Sequence, residues 1–117
     1  MPKDISYYVG LGMDEGTARY FVGGRPRPIS VEPGDDKSLL IVFENGEGRK
    51  YDVAPLIDDG SVFSFLKDSD AFSRAYIDSD GSIAWDKDPC IDSDVVWSNK
   101  VDISPDRCYV DGIPVTV

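Results

Sequence analysis

A chain of 117 residues and 12.9 kDa buries about two-thirds of its unfolded surface around one core and not around two, so residues 1–117 are read as a single domain. Twelve Lys and Arg against 22 Asp and Glu leave a formal charge of −10, a surface that repels phosphate and disfavours direct DNA or RNA binding. Histidine is absent, which excludes Ser-His-Asp and Cys-His catalysis, His-ligated zinc and the usual near-neutral proton switch.

Val and Ile together number 21 and Leu and Ala only 10, a bias toward the pleated surface of strands. Eighteen of the acids are Asp and four are Glu, and Asp favours caps and turns over helix interiors, so long helices are not expected and the acidity reads mainly as turn chemistry. Cys90 and Cys108 are too few for a disulfide scaffold. The first residues lack a basic start followed by an apolar stretch, and the longest apolar run is Leu39 to Phe43. These features point to a soluble cytoplasmic protein with both thiols reduced and no membrane contact.

In chain order, residues 1–28 read as an N-terminal hairpin extension. Tyr7-Tyr8-Val9 and Ala18-Arg19-Tyr20-Phe21-Val22 are expected as two short strands around a glycine-broken loop, and Gly23-Gly24-Arg25-Pro26-Arg27-Pro28 as a connector. Residues 29–117 follow as a core with a C-terminal strand. Ile29-Ser30-Val31 leads through Pro33-Gly34-Asp35-Asp36 into Ser38–Phe43, whose five consecutive apolar residues predict a strand covered on both faces. Asn45-Gly46 supplies the positive φ of a tight turn into Arg49–Val53, a hairpin.

Helical signals occupy only the middle: one turn at Ala54-Pro55-Leu56-Ile57, Ser61 capping Val62–Lys67, and Ser69 capping Asp70–Ala75, with Phe65 and Phe72 on the buried sides. Tyr76–Asp78, the turn Ser79-Asp80-Gly81 and Ser82–Trp85 predict a second hairpin. The tail carries Val95-Val96-Trp97, a Ser104-Pro105 turn, Cys108-Tyr109-Val110 and the alternating Ile113, Val115 and Val117. The fold class expected is therefore α+β, a small antiparallel sheet of hairpins with one or two short helices in the middle of the chain.

Two motifs imitate ligand sites. Gly10-x-Gly12-x-x-x-Gly16 brushes the dinucleotide fingerprint but has the wrong last spacing and little helical sequence after it, so a loop between strands is the expected structure. Asp78-Ser79-Asp80-Gly81 resembles the middle of a calcium loop, yet counting Gly81 as sixth places Tyr76 first and Lys87 twelfth, where acids are required. A turn in which Asp bonds its own backbone is expected instead.

From Ile29 to Tyr109 the order of signals resembles the small bacterial family catalogued as domain of unknown function 2442. The resemblance rests on Ser30-Val31-Glu32-Pro33, then LLIVFENGEGRKYDVAPLI, VFSFLKDSDAFSRAYIDSDGSIAW and DISPDRCY, in that order. It implies a small α+β fold, no established activity, and a role as companion of another small protein in toxin–antitoxin-like pairs. The helix-turn-helix domain to which some members are fused has no counterpart in this sequence.

The functional expectation is a non-enzymatic module that binds a protein partner, antitoxin-like, with no catalytic residue, cofactor or metal. Its partner-binding surface is placed on Trp85, Asp86, Asp88, Asp92, Asp94 and Trp97. Two tryptophans there bracket a long, Asp-rich, irregular stretch, and everywhere else the connections are short. Trp85 continues an alternating strand and is the one of the pair expected in the core, with Trp97 exposed. Two other readings are an Asp-rich metal-dependent or carboxylate site and an acidic mimic of nucleic acid that blocks a basic groove.

Overall fold

The Asn45-Gly46 turn lies at the middle of a four-stranded sheet. The computed structural model describes residues 5–12 and 14–116. Strands β1 (Pro28–Pro33), β2 (Ser38–Phe43) and β3 (Gly48–Asp52) pair antiparallel in sequence order, and β7 (Ile113–Val115) adds to β3. Between β2 and β3 the amide of Phe43 donates to Glu47 O at 2.8 Å, and the left-handed residue of the turn is Gly46, φ +85°. A glycine adopts that φ without steric cost. The asparagine contributes differently, its Oδ1 accepting the Glu47 amide at 3.0 Å.

A second sheet holds β4 (Tyr76–Ile77), β5 (Ile83–Asp86) and β6 (Lys100–Ile103), again antiparallel, with β5 in the centre. Its first turn is the expected Asx arrangement: Asp78 Oδ1 accepts the amides of Asp80 and Ser82, and Gly81 takes φ +83°. Between the sheets run a 3-10 turn at Ala54–Leu56, another at Ser64–Lys67 and the short helix α3 (Ser69–Phe72). The cap of α3 is Asp68, one residue before the Ser69 predicted, and its side chain accepts the Asp70 amide.

Leu39, Ile41 and Phe43 of β2 join Tyr51, Val53, Leu66, Phe72, Ile83, Trp85, Ile103 and Cys108 in one buried cluster. The other face of β2 departs from expectation, because Leu40 and Val42 are only half-buried. Leu40 lies in register between Glu32 and Lys50, polar neighbours that keep that face wet, so the five apolar residues form an alternating strand after all.

The two ends of the chain depart further, with helices where none were expected. Among the described residues of the 1–28 stretch there is no β-hairpin: Ile5–Gly10 is a helix, α1, and Glu15–Val22 another, α2. Asp14 caps α2, accepting the Thr17 amide and hydroxyl at 2.9 Å each, and Glu15 pairs with Arg19 one turn on. Tertiary packing completes the override. Gly16 lets α2 approach α4 (Pro105–Asp111), where a Cβ on it would sit 3.0 Å from Val110, and the Tyr20 ring packs at a tilt against Tyr109, centroids 5.2 Å apart. The Ser104-Pro105 turn proves to be the entry to α4, with Pro105 at the first helical position, where its missing N–H costs nothing. Cys108, buried on α4, has its thiol pushed up to about 12 by desolvation. Cys90 is exposed, and neither cysteine is in a disulfide. The expectation for Val117 lies outside the described residues.

Candidate protein-interaction site

Trp85 and Trp97 stand at the two ends of the Asp-rich segment and have opposite environments. Trp85 is fully buried, its Nε1 donates to Phe72 O at 3.0 Å, and its ring stacks on Phe72 at 5.8 Å with Phe63 edge-on at 6.4 Å. It therefore drops out of the expected partner-binding surface, because a side chain in the middle of a three-stranded sheet's inner face touches no partner. Trp97 is 82% exposed.

The chain leaves β5 after Asp86 and returns as β6 at Lys100, and these two residues are paired in register. Everything between is a loop tied at its neck by one residue, Asn99, which is 6% exposed. Its backbone oxygen accepts the Lys87 amide at 2.7 Å and its Oδ1 accepts the Asp88 amide at 3.0 Å. Its Nδ2 donates to Asp88 O, Ile91 O and Ser93 Oγ at 3.0, 3.2 and 3.1 Å. Side-chain amides match the peptide group in donor and acceptor spacing, so Asn99 serves as a strand partner for a loop that has none.

Ser93 extends this network inward. Its hydroxyl donates to Asp86 Oδ1 at 2.5 Å, and the Tyr76 hydroxyl donates to the same oxygen at 2.7 Å. Burial, and then the Asp86 carboxylate, push the Tyr76 pKa well above the usual phenol range, so the hydroxyl stays protonated and donating. Next to it, Asp78 is nearly buried and pairs with Lys100 at 2.9 Å. Burial alone would raise the Asp78 pKa, but the bonds from Lys100, Ser82 and Asp80 outweigh it and hold the carboxyl below its ordinary value.

The remaining aspartates of the loop do local work. Asp88 accepts the Cys90 amide and Asp92 the Asp94 amide, both at 2.9 Å, each an Asx turn. Asp88, Asp92 and Asp94 are exposed and Asp86 is half-buried. Among the described residues, no three His, Cys, Asp or Glu side chains gather in a way that could hold a metal ion. Tyr76, Asp86, Cys90, Ile91, Ser93 and Asp94 instead help line an open, largely polar cleft of about 420 Å³.

On the solvent side the same loop carries Ile91, Val95 (78% exposed), Val96 and Trp97, all exposed. The Val95 and Val96 amides both bond Asp92 O, at 3.0 and 2.9 Å, and Asn99 N bonds Val96 O at 2.9 Å, so this apolar stretch is held in a fixed turn. Sequence reasoning picked Trp97 and the aspartates but missed Ile91 and Val95 as exposed companions, although two Val and an Ile within an Asp-rich stretch were a signal. Nothing local marked Asn99, Ser93 or Tyr76, because their bonds reach across the loop.

Two small antiparallel sheets sharing one core, with a tied loop leaving the central strand of the smaller, define an α+β domain. The chain belongs to the family described as Protein of unknown function (DUF2442), whose model matches residues 28–111 and so takes in six of the strands and the whole loop. No curated protein and no solved structure matches the chain. No helix among the described residues is long and apolar enough to cross a membrane.

Proposed function

We propose that the protein is a non-enzymatic binding module that contacts a protein partner through the loop between β5 and β6, with Trp97 as its anchor. The observation that carries this reading is Trp97 itself, a large aromatic side chain left 82% exposed on a loop whose backbone is otherwise hydrogen-bonded to a buried asparagine. Water gains nothing by solvating an indole, and an anchored loop loses little conformational freedom on binding, the two conditions under which an aromatic becomes a hot spot. Exposed Asp88, Asp92 and Asp94 precede the apolar stretch on the same loop and favour a partner whose apolar pocket has a basic rim.

The test compares the wild type with Trp97→Ala in affinity capture from extracts of the source cells, followed by binding measurements on the captured protein. Trp97→Ala is expected to weaken binding by about 2 kcal/mol, roughly thirtyfold, at unchanged thermal stability. A partner held as tightly by Trp97→Ala and Val95→Asp as by the wild type would overturn the proposal. If that affinity also fell steeply with salt, an acidic mimic would be the better description.

A further inference from the structure

We propose that Arg25 and Arg27 form a binding site for an oxyanion group, phosphate or carboxylate, in a cleft between the connection from α2 to β1 and the turn from β4 to β5. The site begins with the way α2 stops. Arg25 N bonds Tyr20 O at 3.0 Å and Gly24 takes φ +84°, the left-handed helix end that glycine supplies. Arg25 then takes φ +52°, a conformation uncommon for any residue with a Cβ and one that persists only where its surroundings hold it.

Residues 25–28 alternate. Pro26 and Pro28 are buried and Arg25 and Arg27 exposed, so the two arginines are open to solvent while the prolines between and after them pack inward. The Tyr20 hydroxyl donates to Pro26 O at 3.4 Å, Arg27 N donates to Glu44 Oε1 at 3.1 Å, and Arg27 O accepts the Glu44 amide at 2.9 Å. The backbone under the two side chains is therefore fixed from both sides. Gly81 makes room for the Arg27 guanidinium, since a Cβ there would lie 3.0 Å from its Nε.

Charge pairing narrows the choice of arginines. Arg19, Arg49 and Arg107 each face a carboxylate. Arg25, Arg27 and Arg74 have no such pair among the described residues, in a chain with ten more acids than bases, and of these three Arg25 and Arg27 share one cleft. Arg25 lies over the Phe21 ring at 5.6 Å, and Arg27 makes a single long bond, 3.5 Å, to Ser79 O. Both line a cleft of about 360 Å³ together with Tyr20, Glu44, Asp80 and Pro105. Planar forks with unused donors, lining one cleft, match the oxygens of a phosphate or carboxylate. Glu44 and Asp80 weaken the attraction without occupying the forks, which sets the expected affinity on the order of millimolar. Tyr20, Gly24, Arg25 and Arg27 all precede the residues shared with the family, so the site is built where this chain's N-terminal helices meet the common core.

The experiment titrates the full chain, isotopically labelled, with sodium phosphate in one arm and sodium acetate in another, at ionic strength held constant with sodium chloride. Saturable amide shifts at Arg25, Arg27 and Gly81 are expected, and none from chloride alone. Arg25→Gly keeps the positive φ while deleting the side chain, and Arg27→Lys keeps the charge while deleting the fork; each is expected to fold and to weaken binding by about tenfold or more. Saturation by phosphate alone assigns phosphate esters, by acetate alone carboxylates, and by both the shared oxyanion. No saturable shift in either arm, or unchanged affinity in both variants, would overturn the site.

Discussion

The strand β5 and the loop that leaves it are neighbours in sequence and are stabilised by different physics. Trp85, on the strand, is held by area: it is fully buried among Phe63, Phe72 and the rest of the core, and its one polar atom is satisfied by Phe72 O. The loop buries almost none of its apolar side chains and is held by hydrogen bonds, with Asn99 at the neck and Asx turns at Asp88 and Asp92. A region stabilised by burial has its apolar groups already spent, whereas one stabilised by polar bonds can keep a tryptophan outside and still be ordered. That difference makes the loop, and not the hairpins, the place to look for a partner.

The comparison breaks first at Trp85. Replacing it with Ala should cost about 3–5 kcal/mol of folding free energy in urea unfolding, since it empties a core site and leaves Phe72 O with only the long bond from the Ala75 amide. A cost below about 1 kcal/mol would mean that the strand is not held by area.

Removing the Asp78 carboxylate by Asp78→Ala should cost about 2–3 kcal/mol, because it leaves Lys100 and the Ser82 and Asp80 amides without their acceptor. The same carboxyl titrates below its ordinary 3.8 in the folded protein. Its contribution is therefore complete above the unfolded value and lost as pH falls through the lowered folded value, so wild-type stability should drop below pH about 4 more steeply than that of Asp78→Asn. Parallel acid unfolding curves for the two proteins would count against the pair.

Asn99→Ala tests the polar side of the comparison. It should cost about 1–3 kcal/mol and, more tellingly, speed hydrogen exchange at the Asp88 amide, which loses its acceptor, while leaving β5 protected. Uniform loss of protection would show that loop and strand unfold as one unit. The smallest effect is expected from Trp97→Ala, within about 0.5 kcal/mol of wild type in stability, with loss of the red-shifted, quencher-accessible part of the tryptophan emission. A large destabilisation there would mean that the indole packs against something in solution.

Much of the fold was legible in the chain's local chemistry. Gly46 and Gly81 at positive φ mark the two hairpins because only a few residues tolerate that backbone. The apolar run marks β2 as a strand but reads as covered on both faces, and only the polar neighbours Glu32 and Lys50 show that its side chains alternate with Leu39, Ile41 and Phe43 inside. The opposite environments of Trp85 and Trp97 came from strand alternation around Trp85 and from the polar residues after Trp97. Less legible were the helices at the two ends. Tyr20-Phe21-Val22 has the composition of a strand, yet Asp14 and Thr17 close a cap and Gly16 admits α4, and packing against Tyr109 outweighs a propensity difference of about a few tenths of a kcal/mol per residue. The Ser104-Pro105 pair carried the start of α4 openly and is equally the signature of a turn; the packing of Cys108 and Tyr109 into the core decides between them.

The sequence by itself therefore determined the two hairpin turns at Gly46 and Gly81 and the registers they impose, since these depend on φ and turn chemistry within a few residues. Tertiary structure decided that residues 5–10 and 15–22 are helical, that Asn99 closes the loop, and that Arg25 and Arg27 meet the β4–β5 turn. Each of those rests on contacts between segments far apart in the chain, where a local pattern carries no record of the partner.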